Sequence, residues 1–299
     1  MEELYTKYLP IVYLHSNEQY QPVQVSNYIK NCRLVKETTD NVVMETISNP
    51  DDILKYDNKY YLELKDVKSR KGDKDKKQYF YCFSNKGNDN FNGSFIDLTY
   101  VLCYSYNGTL SPHDFDTESV TIRLDKNKKI LKIVLTSHGN YVTYNPNQIE
   151  FEGHRPVVYS AWESHAFYPK PENYRRMFNF GNDVCERGIR LDGLGVFSLP
   201  NDPRLLPQEF KHLSFNGKRA KGFNERFPSM EGYKLDTNNF RCPKHTLQKL
   251  SEIYDKIFIY LIILLVLLSV LNLYFRINLV SLIIGIIIGF HLIFGLNRI

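Results

Sequence analysis

Alternating hydrophobic and polar residues dominate the chain between residues 90 and 165, and this period of two predicts β-strands. Residues 120–124 and 130–135 flank the polar run 125–129, which predicts a β-hairpin. Further strands are expected at residues 11–14, 60–64, 78–83, 95–106 and 157–161. Short strands separated by turn residues predict a mainly β fold, an antiparallel β-sandwich, with long loops from about residue 170.

The pattern changes near residue 257, where the sequence becomes hydrophobic around the whole circumference of a helix. Residues 257–275 carry no charge, and a helix of this length spans roughly 28 Å, close to the apolar thickness of a bilayer. Residues 276–278 interrupt the run, and residues 279–295 continue it. We therefore predict a soluble domain over residues 1–250 and a two-helix transmembrane hairpin within residues 251–299. A buried hairpin in a globular core is the weaker alternative, because no other helices remain to cover it.

The second predicted helix carries a small residue at every fourth position, at Ser281, Gly285 and Gly289. Such a stripe lets another helix approach closely. The partner is either the first helix of the hairpin or a second copy of the protein, so a homo-oligomer is one expectation.

Charge around the hairpin predicts its orientation. Lys249, Lys256 and Arg298 flank it on one side, and Arg276 lies at its tip. Positive residues favour the cytosolic side of a membrane, so we expect a multi-pass protein whose soluble domain faces the cytosol. The lipid bilayer is then its first partner.

Charge and cysteine content exclude other classes of function. The formal net charge is +5, and the basic run 65–77 alternates with Asp and lacks aromatic residues, which favours a solvated loop over a nucleic-acid site. The five cysteines form no CxxC pair, so we expect reduced thiols without a zinc ribbon or disulfide framework.

The densest polar motif lies in residues 111–119, just before a predicted strand. His113, Asp116 and Glu118 follow the spacing His-x-x-Asp-x-Glu. In an extended segment, Asp116 and Glu118 point to the same face, and His113 can fold back toward them. Imidazole and carboxylate donors suit a divalent cation, Ca²⁺ or Mg²⁺ in preference to Zn²⁺. On spacing alone, an ordinary polar turn is the simpler interpretation.

Two further histidines and the single tryptophan are candidate neighbours of this site. His138 follows the next predicted strand, and His165 lies three residues after Trp162, behind another strand. Lone histidines are usually structural, and the sequence does not show whether these converge.

These motifs resemble those of the family named after vacuolar protein sorting-associated protein 62. The resemblance begins with Tyr8–Pro22, whose pattern is Tyr-Leu-His-x-x-Glu-x-Tyr-x-Pro after a hydrophobic lead. It continues through the segments 104–108, 113–118, 137–139, 155–159 and 164–169, with weaker matches at 182–183, Gly188, 215–217 and Pro228. It covers roughly residues 8–232 and ends before the hairpin.

The family is in turn similar to the necrosis- and ethylene-inducing-like cytolysins, β-sandwich proteins with a divalent-cation site in a His-x-x-Asp-x-Glu segment. The resemblance therefore implies His113, Asp116 and Glu118 as ligands. The family's usual Gly-Asp-Trp-Glu is replaced here by residues 115–118, Phe-Asp-Thr-Glu. The ligand atoms remain, while any surface formed by the missing tryptophan is lost.

Three functions follow from these expectations. The first is a membrane-anchored module that binds a lipid headgroup or glycan through a cation, in membrane traffic or virus assembly. The second is a metal-assisted hydrolase with His138 or His165 as base. The sequence shows no nucleophile elbow, HExxH motif or phosphate-binding loop, which disfavours the hydrolase. The third is a cytolysin, against which a permanent C-terminal anchor argues.

Overall fold

The computed structural model describes residues 1–37, 42–73, 77–89, 93–109, 112–176, 181–191, 193–200, 202–221, 257 and 259–270. Within them the chain is mainly β, as predicted. The strands are β1 (Ile11–Leu14), β2 (Cys32–Glu37), β3 (Val42–Thr46), β4 (Tyr60–Leu64), β5 (Tyr79–Asp89), β6 (Gly93–Asn107), β7 (His113–Asp125), β8 (Ile130–Ser137), β9 (Asn140–Tyr144), β10 (Glu150–Glu152), β11 (Arg155–Ser160), β12 (Phe167–Tyr168), β13 (Asn173–Tyr174), β14 (Asp183–Val184), β15 (Ile189–Leu191) and β16 (Gly195–Ser198).

Helical elements are short. Two short α-helices lie near the start of the chain, α1 (Glu2–Lys7) and α2 (Val25–Lys30). Short 3-10 helices lie at Pro50–Lys55, Val67–Lys71, Pro146–Gln148, Pro203–Leu205 and Gln208–Ser214. The strands form three sheets and a two-stranded ribbon of β13 and β14. We call them the central sheet (β16-β5-β6-β7-β8-β9), the first sheet (β10-β11-β1-β15, with β12 beside β11) and the small sheet (β3-β2-β4).

The predicted hairpin is confirmed as β7 and β8, which pair in antiparallel register around the turn after Asp125. Two pairings depart from the antiparallel expectation: β1 runs parallel to β11, and β16 runs parallel to β5. Both join strands that are far apart in the sequence. A long connection allows a strand to return in the same direction, whereas a tight hairpin turn does not.

The central sheet is covered on both faces because its strands alternate two sets of buried residues. In β5, Phe80 belongs to one core and its neighbour Tyr81 to the other. The first core joins the central sheet to first-sheet residues such as Val12 and Val158. The second core joins it to Leu34 of the small sheet and to α2. This third layer was not part of the predicted sandwich. Each large apolar side chain buried in this way contributes about 1.5–3 kcal/mol.

The region after residue 170 was predicted to consist of long loops. The structure places β13 to β16 there, because each of these short strands finds a partner: β15 pairs with β1, and β16 pairs with β5. A close approach at Gly188 accompanies this pairing. A β-carbon there would lie 2.4 Å from the Ser16 nitrogen, so glycine lets the chain before β15 lie against the end of β1.

The chain divides into two compact units, residues 1–174 with 181–245 and residues 175–180 with 246–299. In the second unit residues 259–270 are helical and expose large apolar side chains, including Ile259, Val266 and Val270. A helix both long enough and apolar enough to cross a bilayer is not found within the described ranges. The predicted second span, with Ser281, Gly285 and Gly289, lies outside these ranges.

Candidate functional site: a buried cluster of carboxylates and histidines

The core-facing side of β7 changes from hydrophobic to acidic along the strand. Val120, Ile122 and Leu124 belong to the first core. Because side chains alternate along a strand, Asp116 and Glu118 lie on the same side. Both acids are buried, with 8% and 5% of their surface exposed. Two carboxylates are therefore held at the end of a hydrophobic core, where each needs a compensating partner.

Asp116 has a partner on each carboxylate oxygen. Its Oδ2 accepts hydrogen bonds from Asn107 Nδ2 (2.9 Å) and His165 Nδ1 (3.1 Å). Its Oδ1 accepts the Thr117 N–H at 2.9 Å and lies 3.9 Å from His113 Nε2. Burial alone would raise the pKa of Asp116, but the contacts with His113 and His165 outweigh it and hold this pKa far below its usual range.

His165 is completely buried between two carboxylates. Its ring stacks on Tyr104, with 3.8 Å between centroids and 6° between planes. Its Nε2 faces Glu18 Oε1 at 3.8 Å, too long for a hydrogen bond. Burial disfavours the charged ring, but the carboxylates of Asp116 and Glu18 outweigh it and raise the pKa of His165 to about 9. The ring is therefore an imidazolium at neutral pH.

Glu118 is compensated differently. Its carboxyl group is hydrogen-bonded to the Thr136 hydroxyl. Burial, followed by the negative charge of Asp116, raises the pKa of Glu118 well above its usual value. Like charges held close together in a buried site disfavour each other's ionisation, so burial and Asp116 both disfavour the charged form of Glu118.

A second network adjoins the first through Ser164. Asp183, fully buried, accepts hydrogen bonds from Ser164 Oγ (2.7 Å), His138 Nε2 (2.6 Å) and Tyr168 OH (2.6 Å). Burial would raise the pKa of Asp183, but the contact with His138 more than offsets it and lowers this pKa. The carbonyl of Ser164 also accepts a hydrogen bond from Asn107, at 3.3 Å, which links the two networks.

Backbone strain concentrates around the cluster. Among the described residues, five that are not glycine have positive φ, and four of them lie here: Phe115 (59°), His138 (50°), Glu163 (58°) and His165 (60°). Side chains with a β-carbon rarely adopt this left-handed conformation. Such strain persists only where surrounding contacts impose it, and it is common at binding and catalytic sites.

The structure brings some of the predicted site residues together and separates others. His165 contacts Asp116 directly, His113 lies beside the same carboxylate, and Glu118 is two residues along the strand. His138 belongs to the adjoining network around Asp183. Trp162 points elsewhere: it is 39% exposed and stacks on His15, with 5.2 Å between ring centroids.

Sequence analysis did not assign site roles to Glu18, Asn107, Thr136 and Asp183. Glu18, Asn107 and Asp183 do fall within segments that carry the family resemblance, and that was the only available signal. Their partners lie as far as 145 residues away in the sequence, as for Glu18 and Glu163, and spacing does not predict such contacts.

The side chains of the cluster include donor atoms of the types that a divalent cation accepts. Asp116 and Glu118 supply oxygen and His113 supplies imidazole nitrogen, the types that Ca²⁺ or Mg²⁺ and softer divalent ions accept. No group of three or more His, Cys, Asp or Glu side chains within the described part of the chain is arranged so that it could hold a metal ion. The types of donor atom thus suit a divalent cation, whereas the cation site itself stays a prediction.

The family suggested by the sequence matches directly. A family model described as vacuolar protein sorting-associated protein 62 matches residues 1–194, which includes every residue of the cluster. Comparison with the curated proteins gives no match.

Solved structures similar to the chain include one described as NLPPya in complex with glucosamine. It is 15% identical, and the match covers 72% of this chain and 82% of that chain with a TM-score of 0.39. Another is Necrosis and Ethylene inducing Protein 2 from the causal agent of cocoa's Witches Broom disease. It is 16% identical, with coverage of 72% and 83% and a TM-score of 0.33.

The charge state of His165 gives the first testable prediction. We expect NMR titration of the full-length chain to place the pKa of His165 near 9, above its ordinary 6.5. The ion pair then stabilises the fold fully below about pH 6.5, and this stabilisation, about 3 kcal/mol, is lost as pH rises through 9. Asp116→Asn should lower the midpoint. A His165 midpoint at or below 6.5 would contradict the ion pair.

Proposed function

The chain belongs to the vacuolar protein sorting-associated protein 62 family, and we propose that it is a membrane-anchored binding protein. In this proposal the buried cluster takes up a divalent cation, and the cation in turn binds an oxygen-rich ligand, a lipid headgroup or a glycan, in membrane traffic or virus assembly. The observation that carries the proposal is the burial of Asp116 and Glu118 side by side at the end of a hydrophobic core.

The cluster can be reached from the surface on one side. The side chains of His113 and Asp116 retain 15% and 11% of their exposure, whereas that of His165 behind them retains none. We infer that a cation enters past His113 and is held by His113, Asp116 and Glu118. When bound, the ion would supply positive charge together with open positions for ligand oxygen atoms.

The strained backbone supports a binding role. Phe115, which precedes Asp116 in the sequence, adopts positive φ, and so does His165, whose ring contacts the Asp116 carboxylate. A purely structural polar turn does not require two disfavoured conformations on either side of one carboxylate. The strain thus favours a site whose geometry is imposed by the fold.

A hydrolase receives less support. A general base must be unprotonated at working pH, and the carboxylates around His165 raise its pKa to about 9. His138, the other proposed base, is hydrogen-bonded through Nε2 to Asp183.

Membrane anchoring is proposed from the C-terminal sequence, as a hairpin over residues 257–295 with the soluble domain of residues 1–250 on the cytosolic side. The described part of this segment, residues 259–270, exposes large apolar side chains such as Ile262, Leu264 and Leu267. Lipid is the solvent in which such a surface is stable. The stripe of Ser281, Gly285 and Gly289 would pack against the other span or a second copy.

Cation binding is tested by calorimetry on the full-length chain in detergent, titrated with Ca²⁺ and then Mg²⁺. We expect Asp116→Asn to weaken binding at least about tenfold, because it removes a charged ligand. Asp114→Asn is a matched control: it removes the same charge in the same strand, but that carboxylate accepts the Leu64 N–H at 3.1 Å.

Affinity in Asp114→Asn should stay near the wild-type value. Equal affinity of wild type and Asp116→Asn would contradict the proposed site. A screen of lipids and glycans, with and without chelator, then identifies the ligand.

Anchoring is tested by washing membranes with alkaline carbonate. We expect the full-length chain to remain in the membrane fraction and a chain ending at Lys256 to be released, because only the former contains the two apolar segments. Release of both chains would refute the anchor.

A further inference from the structure

We propose that Glu18, in the loop after β1, is a positioning residue that holds the turn 161–166 in the strained conformation placing His165 against Asp116. The inference deepens the proposed function and rests on it for the importance of that placement.

The Glu18 carboxylate is a junction between two loops. Its side chain is 1% exposed. Oε1 accepts the N–H of Tyr20 at 2.8 Å, within its own loop, and Oε2 accepts the N–H of Glu163 at 2.7 Å, across to the turn. Charged acceptors make stronger hydrogen bonds than neutral ones, so Glu18 ties the two loops firmly.

The turn needs such a restraint because two of its residues are strained. Glu163 has φ of 58° and His165 has φ of 60°, with only Ser164 between them. The N–H that Glu18 accepts belongs to the first of these left-handed residues. Relaxation of Glu163 to a favoured conformation would swing this N–H away from the buried carboxylate and leave the charge unsatisfied.

Glu18 also acts on the imidazole ring. The ring of His165 lies between Asp116 at Nδ1 and Glu18 at Nε2, 3.1 Å and 3.8 Å away. Nε2 is buried and has no hydrogen-bond partner among the described residues, so the Glu18 charge is its nearest compensation. One carboxylate thus holds both the backbone before His165 and the far edge of its ring.

Other contacts to the turn do not combine these two actions. Gly108 N–H donates to the Glu163 carbonyl at 3.0 Å, and Asp183 accepts from the Ser164 hydroxyl at 2.7 Å. Each restrains the backbone or a neighbouring side chain, and neither of these hydrogen bonds is made to the ring of His165. Removal of Glu18 should therefore loosen the turn and displace the ring together.

The test uses full-length protein carrying Glu18→Gln, which keeps the size of the side chain but removes its charge and one acceptor. We expect amide hydrogen exchange in residues 161–166 to accelerate about tenfold, the scale of a lost charge-assisted hydrogen bond. We also expect the NMR signal of the His165 Nδ1–H to lose its hydrogen-bonded shift. Substitution of a residue with only a structural role would not change the His165 Nδ1–H signal selectively.

Asp125→Asn is the matched control. Asp125 also accepts two backbone N–H groups, those of Asn127 and Lys129, but in the β7–β8 turn. It should leave both readouts at their wild-type values. Unchanged exchange and an unchanged ring signal in Glu18→Gln, or equal changes in both variants, would overturn the proposal.

A second variant covers the case in which Glu18→Gln does not fold. Glu18→Asp keeps the charge, but its carboxylate is one methylene short of the Glu163 N–H. Faster exchange in Glu18→Asp supports the proposal, and wild-type exchange overturns it.

Calcium binding gives a further measurement. If the wild-type chain binds Ca²⁺, Glu18→Gln should weaken binding about tenfold, and unchanged affinity counts against positioning. If wild type binds no Ca²⁺, the proposed function fails, and the exchange and ring signals alone decide the role of Glu18.

Discussion

Buried negative charge at one end of the central sheet is the constraint on which the surrounding structure depends. Four carboxylates, those of Glu18, Asp116, Glu118 and Asp183, are buried there, with at most 8% of each residue exposed. An ionised carboxylate without compensation costs several kcal/mol in such a place. Every one of the four is therefore matched by an imidazole, a backbone N–H or a hydroxyl.

This matching explains why distant parts of the chain meet here. Asp116 and Glu118 come from a central strand, Glu18 from the loop after β1, and Asp183 from a short strand beyond residue 180. His165 reaches Asp116 and Glu18 from a turn that is strained at two of its residues. Charge compensation offsets the strain, since relaxation of the turn would leave buried carboxylates without partners.

Local patterns predicted much of the fold and part of the site. Alternation identified β7 and β8 and placed Asp116 and Glu118 on one face, because strand period is a local property. The parallel pairing of β1 with β11 was beyond such reasoning, since it depends on contacts between residues more than a hundred positions apart. The role of Glu18 was not predicted for the same reason. Its carboxylate accepts a hydrogen bond from the N–H of Glu163, and no spacing rule connects these two residues.

Whether the buried carboxylates at this end of the sheet form a cation site can be decided by locating the ion. Crystals of the full-length chain grown with Mn²⁺, which accepts oxygen and imidazole ligands, provide an anomalous signal from the metal alone. We expect one peak in contact with Asp116 and Glu118 in the wild-type protein and no such peak in Asp116→Asn. No peak there, or a peak on other residues that persists in the variant, would contradict it.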